Sequence, residues 1–135
     1  MTWEPRPVPT VTPDSEAYWA AADEGRLLLS ECTDCSLVFH YPRPLCPDCF
    51  GEAEWLEASG DGEVYTFTVG RSLSGWPDEA LPALIGYVEL DEGPRVMTNV
   101  LADPDDVEIG TRVSVDFIPT ERDDVAVPVF RPADD

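Results

Sequence analysis

The chain has 135 residues, about the length of one ordinary domain or of two very small ones, and this excludes a large multidomain enzyme. Hydrophobic residues form 43% of it, which is enough for one compact core and too much for a disordered acidic tail. Eight basic residues against 28 acidic ones give a formal net charge of −20, so a basic surface is not expected in either half of the chain.

The basic residues are all arginine, and lysine is absent from the sequence. Lysine is normally among the commonest residues of a soluble domain, so its absence beside such strong acidity needs an explanation. In about 1 M salt the Debye length is only about 3 Å, and carboxylates farther apart than that hardly repel one another. The composition favours a protein of a salt-rich cytoplasm over an ordinary acidic protein that lacks lysine. In such a medium, ligand recognition depends on short hydrogen bonds and apolar contact.

Membrane and export signals are missing from the pattern. No stretch approaches the roughly 18 consecutive apolar residues that a bilayer-spanning helix needs. Residues 1–13 have neither the basic start nor the apolar stretch of a signal peptide. We therefore expect a soluble, cytoplasmic protein with no membrane partner.

Residues 1–25 predict an arm followed by a short helix. Four prolines near the start favour an extended arm that has no core of its own and is free to dock on another surface. Asp14 or Ser15 is a suitable N-cap for a helix over residues 16–24, and Gly25 is placed to end it. Because so short a helix is not stable alone, its apolar face must pack on something. That face carries Tyr18, Trp19 and Ala22.

Residues 26–56 predict a small metal-binding ribbon. A buried strand at residues 27–29 leads into two Cys-x-x-Cys pairs that are separated by ten residues. Two such knuckles supply the tetrahedral sulfur shell that Zn²⁺ prefers, and the spacer is long enough for two short strands. The predicted metal ligands are Cys32, Cys35, Cys46 and Cys49.

The predicted metal is structural, because four sulfur ligands leave no position for water or substrate. Iron held by the same thiolates stays open, since soft ligands suit both metals. Disulfides are disfavoured in a chain without an export signal. His40 is the only histidine, and we expect it at the surface rather than as a fifth ligand.

Residues 57–135 predict a mainly β unit. After a linker at residues 57–61, alternation of apolar and polar residues predicts five strands. The second and third form a hairpin with a turn at residues 91–94. Five short strands fit a closed barrel of the OB type better than a sandwich, which usually needs about seven. The predicted strands are residues 64–69, 84–90, 95–101, 109–117 and 125–130.

The alternation also predicts which side chains share a face of a strand. In the first strand it places Tyr65, Phe67 and Val69 together on one face. In the fourth strand it begins at Ile109 and continues to Phe117, which is the clearest half-buried pattern in the chain.

A long insertion at residues 70–83 occupies the first loop between strands, where OB barrels often bind ligands. Arg71 and Trp76 are its distinctive residues, and together they suit a planar, anionic ligand through forked hydrogen bonds and stacking. The alternative is that Trp76 closes one end of the barrel.

Recognisable catalytic groups are missing. A single histidine leaves no credible triad, and the sequence has no phosphate-binding glycine loop. Carboxylate pairs such as Asp91 and Glu92 lie in turns, where solvated side chains are the usual state. We therefore expect no independent enzymatic activity.

The order of these motifs resembles the DUF35 family. The resemblance covers residues 15–132 and rests on Tyr18-Trp19, the two knuckles, the Pro-Arg-Pro run at residues 42–44 and the closing Phe130-x-Pro132. It implies a rubredoxin-like zinc ribbon followed by an OB-fold. It also implies an accessory subunit, associated with acyl-CoA, of thiolase-type enzymes.

In archaea, the resemblance points to the complex that joins acetoacetyl-CoA thiolase to HMG-CoA synthase. Bacterial relatives serve steroid side-chain thiolases and hydratases. The acidity and the lack of lysine would place this chain in a halophilic archaeon.

Coenzyme A has an adenine ring, a diphosphate and a long arm, so it needs one or two arginines and an aromatic surface. The candidates for this contact are Arg43, Arg71 and Trp76, with hydrogen bonding to ribbon carbonyls as the alternative role of Arg43. Tyr18 and Trp19 are candidates for the thiolase contact, or else pack under the ribbon.

Two other functions stay open on the sequence. A zinc ribbon with an OB barrel is also typical of single-stranded nucleic-acid binding, but an acidic protein repels polyanions, and phosphate contacts weaken steeply with salt. A small protein that acts directly on acyl-CoA is the other alternative.

Overall fold

The computed structural model describes residues 2–122 and 124–133. Residue 1 of the predicted arm and residues 123, 134 and 135 of the predicted β unit lie outside the described residues. The described part forms one α-helix and eight strands. Helix α1 spans Glu16–Asp23. The strands are β1 (Leu28–Cys32), β2 (Val38–Phe39), β3 (Ala53–Glu57), β4 (Asp61–Gly70), β5 (Ala83–Leu90), β6 (Arg95–Val100), β7 (Arg112–Pro119) and β8 (Ala126–Pro132).

Helix α1 confirms the predicted short helix. Ser15 is its N-cap, although the side chain makes no capping hydrogen bond, and Gly25 follows it with a φ of +81°. That left-handed conformation carries little steric cost for glycine and turns the chain towards β1. Tyr18 and Ala22 are buried, as expected for the apolar face of this helix, while Trp19 is half-buried.

Strands β1, β2 and β3 form an antiparallel ribbon in the order β2-β1-β3. Ser30 pairs with Phe39 on one side and with Trp55 on the other. The spacer between the knuckles is long enough for two short strands but holds one, β2. Residues 42 and 44 are prolines, which cannot donate to a ladder, and only an isolated bridge between Leu45 and Glu52 follows them.

The remaining five strands close into a barrel in the order β4-β5-β6-β8-β7. Strands β5 and β6 form the predicted hairpin, with Glu89 opposite Arg95. The parallel pairing of β6 with β8, at Val100 and Phe130, closes the barrel, and the other pairs are antiparallel. The predicted fold is therefore confirmed: a short helix, a ribbon and a five-stranded barrel of the OB type.

A β-bulge in β4 separates side chains that were predicted to share one face. The pairing of β4 with β5 shifts between Val64 and Thr66. Because of the extra residue, Val64 is buried while Tyr65 is 47% exposed and lies under the Arg95 guanidinium, 3.8 Å from it. Phe67 does pack against the core, so the prediction that Tyr65 shares its face is wrong.

The fourth barrel strand begins later than predicted. Strand β7 starts at Arg112, and Ile109 is 70% exposed in the turn before it. Gly110 has a φ of +94° and donates its N–H to the Val64 carbonyl at 2.8 Å. This left-handed residue makes a turn where simple alternation predicts a strand.

Helix, ribbon and barrel share one hydrophobic core. Tyr18 and residues 27–29 pack in the same cluster as Val88, Val100 and Phe130 of the barrel. A second, much smaller cluster lies within the ribbon and comprises Cys32, Phe39 and Cys46. The base of the ribbon is thus fixed to the barrel, whereas its far half has almost no apolar core.

The amino-terminal arm docks on the barrel. Trp3 is only 4% exposed and packs against Ile118, Val127 and Val129. Its backbone N–H donates to the Pro119 carbonyl at 2.9 Å. The arm therefore has no core of its own, as expected, but completes a core at the outer side of β7 and β8.

No helix in residues 2–122 and 124–133 combines the length and the apolar character needed to cross a membrane.

Replacing the arm's anchor tests this docking. We expect Trp3→Ala to lower the free energy of unfolding by about 3 kcal/mol, because a buried tryptophan leaves a large cavity. The arm should also become open to proteolysis. Denaturant unfolding and limited proteolysis measure both effects.

The matched control is Trp55→Ala, which removes an indole that is 42% exposed in β3. Its effect should stay below about 1 kcal/mol. Equal stability of Trp3→Ala and the parent chain would contradict the docked arm.

Candidate functional site

The four cysteines meet at the far end of the ribbon. The Cys32 and Cys49 sulfurs are 3.5 Å apart, those of Cys35 and Cys46 are 3.6 Å apart, and all four lie within 4.8 Å of one another. A tetrahedral site with metal–sulfur bonds of about 2.3 Å has edges of about 3.8 Å. A disulfide would need about 2.05 Å, so these are four free thiols spaced for one ion.

Both knuckles fold by the same local hydrogen bonds. Ser36 donates its N–H to the Cys32 carbonyl and Phe50 donates to the Cys46 carbonyl, each at 3.1 Å. The residue after each pair is left-handed, with φ of 64° at Ser36 and 63° at Phe50. This conformation costs a residue with a side chain roughly 1–2 kcal/mol, so the rest of the site must hold it in place.

Backbone amides point at the sulfurs. Asp34 and Cys35 each donate an N–H to Cys32 Sγ at 3.4 Å, and Asp48 donates to Cys46 Sγ at the same distance. The Cys35 amide in particular lowers the pKa of the Cys32 thiol to about 7. Hydrogen bonds with neighbouring cysteines raise the pKa of the Cys35 and Cys49 thiols instead. Thiolates, not thiols, bind metals, so the amides favour the thiolate at Cys32, while a cation must displace protons from Cys35 and Cys49 when it binds.

The donor set fits a structural metal. Four sulfurs fill a tetrahedral shell and leave no position for substrate, and soft thiolates suit zinc or iron. Cys32 and Cys46 are buried, while Cys35 and Cys49 lie at the surface. His40 does not belong to the cluster, as expected.

Loss of one ligand should open the far half of the ribbon. We expect Cys46→Ser to abolish metal binding and to remove hydrogen-exchange protection from residues 32–53, because the small cluster there cannot hold the loop alone. The barrel and residues 28–29, which lie in the shared core, should keep their protection. Metal analysis and hydrogen exchange by mass spectrometry give the two readouts.

Asp48→Asn is the control in the same knuckle, since only the backbone of Asp48 contacts a sulfur. It should bind metal as the parent does. Equal protection of residues 32–53 in Cys46→Ser and the parent would overturn the structural role of the metal.

His40 is half-buried rather than at the surface. Its ring lies 5.7 Å from the Tyr18 ring and 4.9 Å from the Tyr41 ring, and its Nδ1 has no hydrogen-bond partner among the described residues. Burial lowers the pKa of His40 from its ordinary 6.5 to about 4. The imidazole is therefore a neutral packing group between helix α1 and the ribbon.

Acid should weaken this contact. Below pH 6.5 the unfolded chain binds a proton that folded His40 does not, so the contribution of His40 to the free energy of unfolding falls until pH reaches about 4. The difference in stability between the parent chain and His40→Gln should shrink over that interval and be constant below it. Denaturant unfolding at stepped pH measures the difference, and a constant value from pH 7 to pH 4 would contradict the buried neutral state.

The predicted partner residues differ in their accessibility. Tyr18 is 8% exposed and packs in the shared core, where burial raises the pKa of its phenol. It meets Trp19 edge-on, with ring centres 5.0 Å apart. Trp19 lines a cavity of about 350 Å³ with Tyr41 and Met97.

The predicted ligand residues lie in three different settings. Arg43 lines a cavity of about 210 Å³ beside the ribbon, which it shares with Asp14 and Glu54. Trp76 is half-buried, meets Trp3 edge-on at 5.7 Å and lines a separate cavity at the barrel. Arg71 lies exposed at a bend of the insertion loop. Their ligand contacts stay a prediction.

Met97 marks an apolar surface that was not predicted from the sequence. Its side chain is 57% exposed, it pairs with Tyr87 on β5, and Tyr41 of the ribbon lines the same cavity. It also lines the two neighbouring cavities along β5. The signal in the sequence was the alternation of β6, in which Val96 points inward and Met97 outward. We call the side chains of Trp19, Tyr41, Tyr87 and Met97 the Met97 surface.

Two family models match the chain in succession. Residues 19–54 match the rubredoxin-like zinc ribbon domain of ChsH2, and residues 55–117 match the C-terminal OB-fold domain of ChsH2.

Curated relatives agree with these models. A probable enoyl-CoA hydratase alpha subunit of Thermomonospora curvata is 37% identical over 95% of this chain and 40% of its own length. A DUF35 domain-containing scaffold protein of Methanothermobacter thermautotrophicus is 35% identical over 65% of this chain and 68% of its own length. The chain thus spans about two fifths of the first of these proteins.

Two solved structures have folds similar to that of this chain. One chain of a structure described as an Ltp2-ChsH2(DUF35) aldolase is 34% identical, with a TM-score of 0.82 over 93% of this chain and 99% of that one. A DUF35 protein from Sulfolobus solfataricus, 16% identical with a TM-score of 0.63 over 91% of this chain and 87% of that one, shares the fold. A ribbon and barrel matched in this order, by sequence and by structure, show that the chain belongs to the DUF35 family.

Proposed function

We propose that this chain is a non-catalytic scaffold subunit of an acyl-CoA-processing complex, and that its partner is a thiolase-type enzyme. The Met97 surface carries the proposal. Three of its side chains, Tyr41, Tyr87 and Met97, are exposed, and Trp19 is half-buried. On a chain with a net charge of −20, such a group of aromatic and thioether side chains is the kind of surface that a partner protein covers.

The names of the relatives support a scaffold role and an association with enzymes, one of which is a probable enoyl-CoA hydratase. One is named as a scaffold protein, one as a hydratase subunit, and one structure as an aldolase containing a DUF35 chain. An acetoacetyl-CoA thiolase, coupled to HMG-CoA synthase, is the specific partner that we propose. Single-stranded nucleic acid is the poorer ligand, because the chain repels polyanions.

The interface that we propose is centred on Met97. Tyr18 is too deeply buried to reach a partner, so it supports Trp19 from below while Trp19 forms the rim of the contact. Zinc is the metal that we propose for the cysteine cluster, where it would hold Tyr41 and the rest of the ribbon in place.

Coenzyme A would lie between the two proteins, with the barrel loops of this chain contributing to its enclosure. The predicted contacts from Arg43, Arg71 and Trp76 stay part of the proposal.

A charge placed on the Met97 surface tests the partner contact. We expect Met97→Glu to reduce retention of the partner enzyme by about tenfold or more, because a buried carboxylate in an apolar interface is costly. Affinity purification of the tagged chain from its source cells at high salt, with the bound enzyme identified by mass spectrometry, measures the loss.

Ile109→Glu is the matched control, since Ile109 is 70% exposed and lies in the turn before β7. It introduces the same charge and should retain the partner. Purification of the parent chain without any acyl-CoA enzyme would count against the proposed function, and equal retention in both variants would move the interface elsewhere.

A further inference from the structure

A cavity of about 260 Å³ lies where the arm crosses the barrel beside the insertion loop. Its lining contains two arginines, Arg6 and Arg131, together with Trp76 and Asn99. No carboxylate residue lines it in the described part of the chain, although 28 of the 135 residues are acidic. In a molecule this acidic, a cavity with basic residues and no acidic ones indicates a site for an anion.

Arg6 is held in place but not neutralised. Its Nη1 donates to the Trp3 carbonyl at 3.1 Å, and its guanidinium lies over the Trp3 ring, 5.1 Å from the centre. Within the described residues it has no carboxylate partner, whereas five of the other arginines are in ion pairs. The remaining N–H groups of Arg6 are therefore oriented donors without an anionic acceptor.

Arg131 is oriented by a carboxylate on its outer side. Its Nε donates to Asp116 at 2.7 Å, which leaves the two terminal nitrogens free of that contact. This ion pair cancels one of the two positive charges near the cavity and keeps the guanidinium in position. The cavity beside Arg43 is different, because Asp14 and Glu54 share its lining.

We propose that the cavity between Arg6, Arg131 and Trp76 binds the phosphate groups of a nucleotide-type ligand. Two guanidinium groups supply forked, charge-assisted hydrogen bonds to phosphate oxygens, and the Trp76 indole supplies a flat apolar wall. Under the proposed function this ligand is coenzyme A, and the assignment of its diphosphate to this cavity rests on that function. A free nucleotide has the same chemistry.

The docked amino-terminal arm places Arg6 at the cavity. Trp3 fixes the arm on the barrel through its backbone bond to Pro119 and through the edge contact with Trp76. Arg6 follows three residues later and is thereby placed at the cavity. Contacts of this kind act at hydrogen-bond distance, so screening by concentrated salt weakens them less than it weakens a long-range field.

Calorimetric titration of the full, zinc-loaded chain tests the site with four probes: coenzyme A, ADP, pyrophosphate and pantetheine. The parent chain should bind the three phosphate-bearing probes, and pantetheine, which lacks phosphate, at least tenfold more weakly than coenzyme A. Arg6→Gln should weaken the three by tenfold or more, and Arg6→Lys by less, since it keeps the charge and loses the fork. Arg131→Gln should act in the same direction.

Arg26→Gln is the matched control, because Arg26 carries the same charge in an exposed ion pair away from the cavity. Its affinities should stay within twofold of the parent chain. Thermal unfolding of each variant identifies any that fails to fold, and Arg6→Lys then replaces Arg6→Gln as the deciding variant.

The outcomes separate this site from the proposed function. Unchanged binding in Arg6→Gln, or weakening only in Arg43→Gln or Arg71→Gln, overturns the site and leaves the scaffold function standing. Binding of ADP as tight as that of coenzyme A, with no enzyme retained from cells, supports the site and overturns the function. Failure of every phosphate-bearing probe to bind the parent chain at millimolar concentration overturns the site.

Discussion

The structure depends on a hydrophobic core that two unequal parts share. Tyr18 and residues 27–29 pack with barrel residues such as Val100 and Phe130, so the base of the ribbon is fixed to the barrel by ordinary burial. The far half of the ribbon has only a few buried side chains of its own. A metal held by four thiolates is the physical means by which so small a loop can keep one conformation. The shared core holds the ribbon against the barrel, and Tyr41 and Met97 line one cavity there.

The strong negative charge of the chain limits which molecules it can bind. The ion pairs of the described residues are solvent-exposed, and pairs of that kind contribute little to stability. Most of the carboxylates are therefore uncompensated, and they oppose association with any other acidic molecule unless salt screens them. Two features can bind a partner or ligand despite the repulsion between carboxylates. One is the apolar Met97 surface, and the other is a cavity whose arginines act at hydrogen-bond distance. Both suit a scaffold that binds an enzyme and its ligand by short-range contacts.

The sequence predicted what depends on local chemistry. Cysteine spacing predicted which four thiols come together, Gly25 marked the end of the helix, and alternation predicted the barrel strands. It failed where the backbone leaves regular geometry: the bulge turns Tyr65 outward, and left-handed Gly110 makes a turn of the residues around Ile109. Contacts between residues that are far apart in the sequence were not predicted either. Nothing local predicts that Trp3 packs on β7 and β8, that Arg6 reaches the cavity of Trp76, or that His40 is buried against Tyr18.

We propose that this chain lends surfaces to chemistry performed by another protein. The most direct measurement is acyl-CoA consumption by three samples: the metal-loaded chain alone, the partner enzyme alone, and the two combined. Our account predicts no consumption by the chain alone and faster turnover by the combination than by the enzyme alone. Consumption of the thioester by the purified chain, in the absence of any other protein, would contradict it.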